Sequence, residues 1–178
     1  VATREPATPE QQPASLLAVP LFYVSGCYSV FMLNLRGGRK TSIMYKWDVE
    51  EALQIIERER ITTFTGVPTM TMALMESPLW EKTDTTSLFA IGAGGTASPP
   101  HLKDLIYSKL PNAYPGTGYG MTETNATCSS FTGVGYQLKP NAAGTVSPIV
   151  DLKTVDSEGN DLPQGETGEF YVRSPTNV

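Results

Sequence analysis

Residues 118–123, with the sequence GYGMTE, combine residue types that suit binding of a phosphorylated heterocycle. Glycines let the backbone come close to a ligand, and the Tyr119 ring offers a flat face to a heterocycle. The Thr122 hydroxyl can donate to a phosphate oxygen. Glu123 supplies a hard oxygen ligand, and Mg²⁺ usually takes one or two carboxylates together with substrate phosphates. The same spacing also suits a turn with a surface carboxylate, so both interpretations stay open.

A second glycine-rich segment, Gly92 to Ala97, matches the G-x-G-x-x-A pattern of dinucleotide-binding loops. That pattern expects an acidic residue about 20 positions further on, where it binds a ribose hydroxyl. No Asp or Glu stands between Asp104 and Glu123. A dinucleotide loop and a plain strand-to-helix turn are the two alternatives for this segment.

The remaining chemically versatile residues suggest structural roles. His101, the single histidine, is expected near the start of a helix as a surface or capping residue. Cys27 and Cys128 are far apart and neither belongs to a CxxC pair, which argues against a zinc site or a disulfide framework. They favour a reduced, cytoplasmic protein, with both thiols as small apolar side chains.

The composition is that of an acidic globular chain. Among 178 residues, 13 Lys and Arg face 18 Asp and Glu, giving a net charge of −5. This balance argues against a nucleic-acid partner, whose phosphates call for clustered basic residues. Residues 11–35 carry no charged side chain, but prolines and polar residues interrupt the apolar sequence of this stretch. A buried strand followed by a helix is therefore predicted, and no membrane span.

Apolar patterning predicts alternating strands and helices over most of the chain. Asp48 is expected to cap the clearest helix, in which Val49, Ala52, Leu53 and Ile56 form one apolar stripe. Ser98 is expected to cap a later helix that Pro99 opens. The predicted strands cover 15–21, 41–45, 61–65 and 88–91, and the other predicted helices cover 26–35 and begin at 67–68.

This alternation predicts an α/β fold with a parallel sheet flanked by helices, running to about residue 130. From Gly144 the pattern changes to short strands at 150–156 and 169–173, which predicts a small antiparallel β unit. The expected organisation is a loop or linker over 1–14, an α/β subdomain over 15–143 and a β-rich segment over 144–178. Ligands of such sheets bind beyond the carboxyl ends of the strands, where both glycine-rich segments are expected.

The chain resembles the adenylate-forming, AMP-binding enzymes, which include acyl- and aryl-CoA synthetases, beetle luciferases and the adenylation domains of peptide synthetases. The segments that carry the resemblance follow the family's order: PLFYVSG at 20–26, VPT at 67–69, Gly94-Gly95-Thr96, YGMTE at 119–123 and GETGEFYVR at 165–173. The resemblance extends from about Ser15 to Val178.

The resemblance implies two half-reactions. A carboxylate attacks the α-phosphorus of ATP to give an acyl-adenylate and pyrophosphate, and a thiol, usually of coenzyme A, then displaces AMP. It implies that Tyr119 lies against adenine, Thr122 contacts the α-phosphate and Glu123 binds Mg²⁺, with Thr122 and Glu123 as the catalytic pair. The implied nucleotide site comprises Gly94, Gly95, Thr96, Gly118, Tyr119, Gly120, Met121 and Thr122, and the implied acyl site includes Tyr23, Gly94 and Met121.

The family's phosphate loop and its lysine are expected before this chain, and a ribose-binding aspartate and a C-terminal domain with a catalytic lysine after it. The chain is therefore expected to be an internal fragment of the large N-terminal domain of an ATP-dependent carboxylate–CoA ligase, inactive alone. Its expected partners are ATP, Mg²⁺, coenzyme A, a fatty or aromatic carboxylic acid and the flanking parts of its own parent chain. The alternatives are an NAD-dependent oxidoreductase using Gly92 to Ala97, and a non-catalytic nucleotide-binding module.

Overall fold

A computed structural model describes residues 12–177, so most of the predicted linker, residues 1–11, lies outside the described part. Seven strands form one sheet in the order β2-β1-β3-β4-β5-β6-β7. They are β1 (Ala14–Leu17), β2 (Lys40–Ile43), β3 (Thr63–Gly66), β4 (Ala90–Gly94), β5 (Tyr114–Met121), β6 (Ala126–Thr132) and β7 (Thr145–Val146). The first five are mutually parallel, whereas β6 and β7 are antiparallel to their neighbours.

Two further strands, β8 (Asp151–Val155) and β9 (Glu169–Arg173), form a separate antiparallel sheet. The predicted fold class, a parallel sheet with helices followed by a small antiparallel unit, is confirmed. The helices are α1 (Val24–Gly26), a π-helix (Cys27–Met32), α2 (Leu33–Arg36), α3 (Val49–Glu59), α4 (Pro68–Glu76), α5 (Leu102–Lys109) and α6 (Val134–Leu138). Single 3₁₀ turns cover Trp80–Lys82 and Thr122–Thr124.

The helix α3 forms as the sequence predicts. The Asp48 carboxylate accepts a hydrogen bond from the Glu51 amide at 2.9 Å, which satisfies one free N–H of the first turn. The apolar stripe buries Leu53 and Ile56. Arg60, in the left-handed conformation at φ 51°, ends the helix and turns the chain into β3.

The core lies between the parallel strands and the helices packed on them. Leu16, Phe64 and Ile91 extend from three neighbouring strands and are almost completely buried. Leu53 of α3, Leu74 of α4 and Ile106 of α5 belong to the same apolar cluster. The strands therefore form a rigid platform, and the loops that leave it can hold side chains in fixed positions.

Antiparallel pairing begins earlier than the sequence pattern indicates. The glycine-rich residues 116–121 belong to the strand β5, in which Gly116, Thr117 and Gly118 pair with β4. The chain then reverses over Thr122 to Asn125, and β6 returns beside β5. So tight a reversal can only produce an antiparallel neighbour, because a parallel one needs a long crossover. The prediction of parallel strands to about residue 130 was wrong for β6.

The start of α5 also differs from the prediction. The helix begins at Leu102 with His101 at its N-cap position, and no side chain caps it. Ser98 is therefore not the cap, and among residues 12–177 its buried hydroxyl has no hydrogen-bond partner. Pro100 explains the shift, since a residue before proline, here Pro99, is disfavoured in the helical conformation.

No helix among residues 12–177 is both long enough and apolar enough to cross a bilayer. The uncharged stretch instead forms β1 and the helical run from α1 to α2.

Candidate active site

The carboxyl ends of all five parallel strands open on one cleft of about 1390 Å³. In order, the segments that follow β1 to β5 contribute Ala18 to Pro20 with Phe22 and Tyr23, Met44 to Trp47, Val67 and Met70, Gly95, and Thr122 with Glu123. The antiparallel strand β6 closes one side with Thr127 and Ser130. This is the place where ligands of parallel sheets are expected.

The cleft brings together nearly all residues that the sequence singled out. Those that line it are Tyr23, Gly94, Gly95, Gly118, Tyr119, Gly120, Met121, Thr122 and Glu123. Thr96 is not among the lining residues and lies in the exposed turn after Gly95. The N-terminal segment around Tyr23 and the segment around Tyr119, almost 100 residues apart in the chain, thus face the same space.

Glycines leave part of the cleft lining without side chains. At Gly94 a Cβ would meet only the Gly118 carbonyl oxygen, at an ordinary contact distance of 3.8 Å. Gly95 adopts φ +82°, a conformation that other residues rarely adopt. The end of β4 therefore exposes its backbone to the cleft without a side chain in front of it.

Tyr119 is held by an aromatic contact from the separate hairpin. Its ring lies 6.0 Å from the Phe170 ring, centroid to centroid, with an interplanar angle of 67°. Such edge-to-face pairs are favourable. Because Phe170 belongs to β9, the hairpin β8–β9 contributes to the position of a cleft residue.

The Thr122–Glu123 turn is fixed from its inner side by Thr124, a residue that the sequence analysis missed. Thr124 is buried, and its hydroxyl accepts from the Met121 amide at 3.1 Å. The same hydroxyl lies 3.0 Å from the Met121 carbonyl oxygen and 3.2 Å from that of Ala126, either of which can accept its proton. Thr122 and Glu123 are exposed on the opposite side, towards the cleft.

The backbone after this turn is strained. Asn125 is left-handed at φ 54°, which asparagine tolerates, and Ala126 follows at φ 102°. A non-glycine residue at such an angle costs on the order of 1–3 kcal/mol and persists only where the surroundings enforce it. The hydrogen bonds of Thr124 are one such constraint.

Glu123 is the residue that could hold a metal ion. Its carboxylate forms no ion pair with any residue in the described range 12–177. Within that range no three His, Cys, Asp or Glu side chains gather, so the protein offers one carboxylate and no complete ligand cage. That donor set fits Mg²⁺, which is commonly bound through one or two carboxylates and the phosphates of a substrate.

Part of the cleft lining is apolar and aromatic. The rings of Phe22 and Tyr23 lie 4.7 Å apart, and both side chains are exposed. Trp47 stacks on the buried Phe64 ring at 5.8 Å, and Met70 adds a flexible thioether to this wall. Sequence reasoning missed Trp47 and Met70 as cleft residues. Trp47 lies two residues after the predicted strand 41–45, and Met70 lies in α4.

The helical run from α1 through the π-helix contributes two serines to the cleft lining, Ser25 from α1 and Ser29 from the π-helix. The π-helix inserts six residues, Cys27–Met32, between α1 and α2, and such local widenings occur often at functional sites. Gly26 lets the run pass close to the loop that follows β1, because a Cβ there would overlap the Pro20 carbonyl oxygen.

The dinucleotide-loop alternative for Gly92 to Ala97 does not fit the structure. In that motif the helix begins at the glycines, so that its N-terminus meets the pyrophosphate. Here Gly92 and Gly94 lie inside β4, and α5 begins only at Leu102.

His101 is exposed and outside the cleft lining, and both cysteines are free thiols, with Cys128 buried.

A sequence profile of AMP-binding enzymes matches residues 1–178, the whole chain. The chain belongs to the AMP-binding enzyme family. The resemblance inferred from the sequence motifs is thereby confirmed.

The curated relatives that the chain matches are longer proteins. It is 35% identical over 162 residues to 4-coumarate–CoA ligase 2 of Nicotiana tabacum, covering 89% of this chain and 30% of the ligase. It is 35% identical over 159 residues to 4-coumarate–CoA ligase 1 of Petroselinum crispum, covering 87% and 29%. The chain thus spans about a third of the length of the relatives it matches.

Solved structures share the fold. A putative long-chain-fatty-acid CoA ligase from Rhodopseudomonas palustris superposes with a TM-score of 0.80 at 25% identity, covering 93% of this chain and 40% of that one. The o-succinylbenzoate CoA synthetase of Bacillus subtilis, solved in complex with ATP and a magnesium ion, gives 0.78 at 25% identity, covering 94% and 34%.

Proposed function

We propose that this chain supplies the nucleotide- and acyl-binding cleft of an ATP-dependent carboxylate–CoA ligase. The observation that carries the proposal is the convergence of five parallel strand ends on one cleft, which Tyr23, Tyr119, Thr122 and Glu123 all line. Its family membership and the ligases among its relatives support the same activity.

In the proposed reaction the acid's carboxylate attacks the α-phosphorus of ATP, and pyrophosphate leaves with the electron pair of the broken P–O bond. Tyr119 lies against the adenine, while the open backbone of Gly94 and Gly95 admits the nucleotide. The Thr122 hydroxyl donates to an α-phosphate oxygen, which gains charge as the bond forms. Coenzyme A thiol then attacks the acyl carbonyl, and AMP leaves.

Glu123 is the proposed ligand of Mg²⁺. A bound magnesium ion would neutralise charge on the phosphate oxygens and orient them. Glu123 suits this role because its carboxylate is exposed at the cleft and no cation in the described range 12–177 pairs with it. Thr122 and Glu123 are adjacent, so one turn would hold both the phosphate donor and the metal ligand.

For the acid we propose an aromatic carboxylate, with a fatty acid as the second candidate. The flat rings of Tyr23 and Trp47 and the thioether of Met70 line the cleft, and such side chains favour packing against an aromatic ring. The plant relatives named for 4-coumarate support the first candidate. The structure named for a long-chain fatty acid supports the second.

The test is acid-dependent exchange of pyrophosphate into ATP by the full-length protein that carries this segment. We expect Mg²⁺-dependent exchange with 4-coumarate or cinnamate, and acyl-CoA formation when coenzyme A is added. If palmitate supports faster exchange than the aromatic acids, the fatty-acid candidate replaces the aromatic one. No exchange with any carboxylic acid would contradict the ligase proposal.

The isolated 178-residue chain is predicted to release no pyrophosphate, since it spans about a third of the relatives' length. The cytoplasmic location and the absence of a nucleic-acid partner also stay predictions.

A further inference from the structure

The turn that carries Thr122 and Glu123 is held from two sides. On its inner side the Thr124 hydroxyl accepts from the Met121 amide and lies within hydrogen-bond distance of the Met121 and Ala126 carbonyl oxygens. The second contact comes from the end of the chain, where the Thr176 hydroxyl donates to the Thr124 carbonyl oxygen at 3.2 Å.

Thr176 lies in a short hydrogen-bonded turn after β9. Its amide donates to the Ser174 hydroxyl at 3.2 Å, and the hydroxyls of the two residues lie 2.7 Å apart. Asn177 donates from its side chain to the Val172 carbonyl at 2.9 Å and so ties this turn back to β9. These bonds to the hairpin hold Thr176 in the position from which its hydroxyl reaches the Thr124 carbonyl.

The Thr124 carbonyl is the group through which this contact reaches the cleft. It lies at the end of a single 3₁₀ turn, where carbonyls lack partners within the helix. The two residues that follow, Asn125 and Ala126, have positive φ. A strained backbone segment of this kind relaxes once its constraints are removed. Glu123 directly precedes Thr124, so such a relaxation would also move Glu123.

We propose that Thr176 is a positioning residue for the proposed ligase reaction, an inference that rests on the proposed function. By holding the Thr124 carbonyl, it keeps the Thr122 hydroxyl and the Glu123 carboxylate at the angle from which they meet the phosphate and its metal ion. Together with the contact between Phe170 and Tyr119, it makes the hairpin β8–β9 a support of the nucleotide site.

The test compares Thr176→Val with Thr176→Ser and Thr83→Val in the full-length protein. Valine keeps the shape of threonine and removes the donor, and serine keeps the donor. Thr83 is the matched control, because its hydroxyl also donates to a main-chain carbonyl, that of Leu79 at 2.9 Å, and it does not line the cleft.

Two readouts are taken. Hydrogen exchange, followed in peptides that cover residues 119–127, reports how well the Met121 amide is protected. This measurement does not depend on catalytic activity. A Mg²⁺ titration of adenylation reports how well the carboxylate is placed. For Thr176→Val we expect faster exchange in these peptides, an adenylation kcat lower by about 3- to 10-fold, as for the loss of one hydrogen bond, and a higher Mg²⁺ requirement.

Thr176→Ser should restore both readouts, and Thr83→Val should change neither. Wild-type exchange and Mg²⁺ dependence in Thr176→Val, or the same changes in Thr83→Val, would overturn the inference. A wild-type protein without any adenylation would contradict the proposed function instead. The hydrogen-exchange comparison would then still decide whether Thr176 holds the turn.

Discussion

Gly120 packs directly against the carbonyl of Ala126 across the β5–β6 turn, so closely that a methyl group on residue 120 would overlap that oxygen. The contact joins the glycine before the Thr122–Glu123 turn to the strained alanine after it. The close approach of the two backbones leaves no room for any side chain at position 120.

Gly120→Ala is therefore expected to destabilise the protein by about 1–3 kcal/mol, the usual cost of overpacking, because backbone atoms must move. Gly94→Ala is the control for folding, since a Cβ there meets only an atom 3.8 Å away. Urea unfolding of both variants measures the difference. Equal midpoints for the two variants would show that the β5–β6 turn opens easily.

Thr122→Val and Glu123→Ala, in the full-length protein, should each lower kcat for adenylation more than they raise KM, because both contacts strengthen as charge builds up on the phosphate. One such contact is worth roughly 10²–10³ in rate. Added Mg²⁺ should partly rescue Glu123→Ala and not Thr122→Val.

The control for this pair is Glu166→Ala, which removes an exposed carboxylate from a turn outside the cleft lining. Its kinetics should match those of the wild type. A Glu123→Ala enzyme with an unchanged rate and unchanged Mg²⁺ dependence would mean that this carboxylate is an ordinary surface group.

The Tyr119–Phe170 contact should appear as a coupling energy between β5 and β9. In a double-mutant cycle of Tyr119→Ala and Phe170→Ala, measured by urea unfolding, we expect an interaction of about 0.5–1.5 kcal/mol, typical of aromatic pairs. Tyr171→Ala with Tyr119→Ala is the matched cycle, because Tyr171 points to the other face of β9. A coupling energy near zero in the first cycle would contradict the aromatic contact.

Glu59 should make part of the protein's stability depend on pH. Hydrogen bonds from Arg58 and Lys40 lower the pKa of its carboxyl from 4.5 to about 2, with N–O distances of 2.8 and 2.5 Å. The ionised form is favoured by folding, so its contribution is present above pH 4.5 and is lost as the pH falls towards 2.

Glu59→Gln should therefore lower the urea midpoint at pH 7, modestly because the ion pairs are solvent-exposed, and the deficit should shrink between pH 4.5 and 2. Glu76→Gln is the control, a carboxylate at the exposed end of α4 that forms no ion pair among residues 12–177. A deficit that stays constant over this pH range would exclude the linkage.

The helix α3 and the parallel strands were predictable because their signals are local. Asp48 and the stripe from Val49 to Ile56 specify a helix without reference to any distant residue, and continuous apolar runs specify buried strands. The α5 boundary was missed for an equally local reason, since the effect of Pro100 on Pro99 outweighed the capping preference of Ser98.

The candidate site was predictable as far as its motif residues. The sequence by itself determined the residue types of the 118–123 segment, the family motifs and the sheet edge at which ligands are expected, because side-chain chemistry and periodicity can be read along the chain. Only the tertiary structure decided that Tyr23 and Trp47 face the same cleft as Tyr119, that β6 runs antiparallel, and that Thr124 and Thr176 hold the turn. Those relationships join residues up to about 100 positions apart in the chain, and contacts of that range arise only when the strands have packed into one sheet.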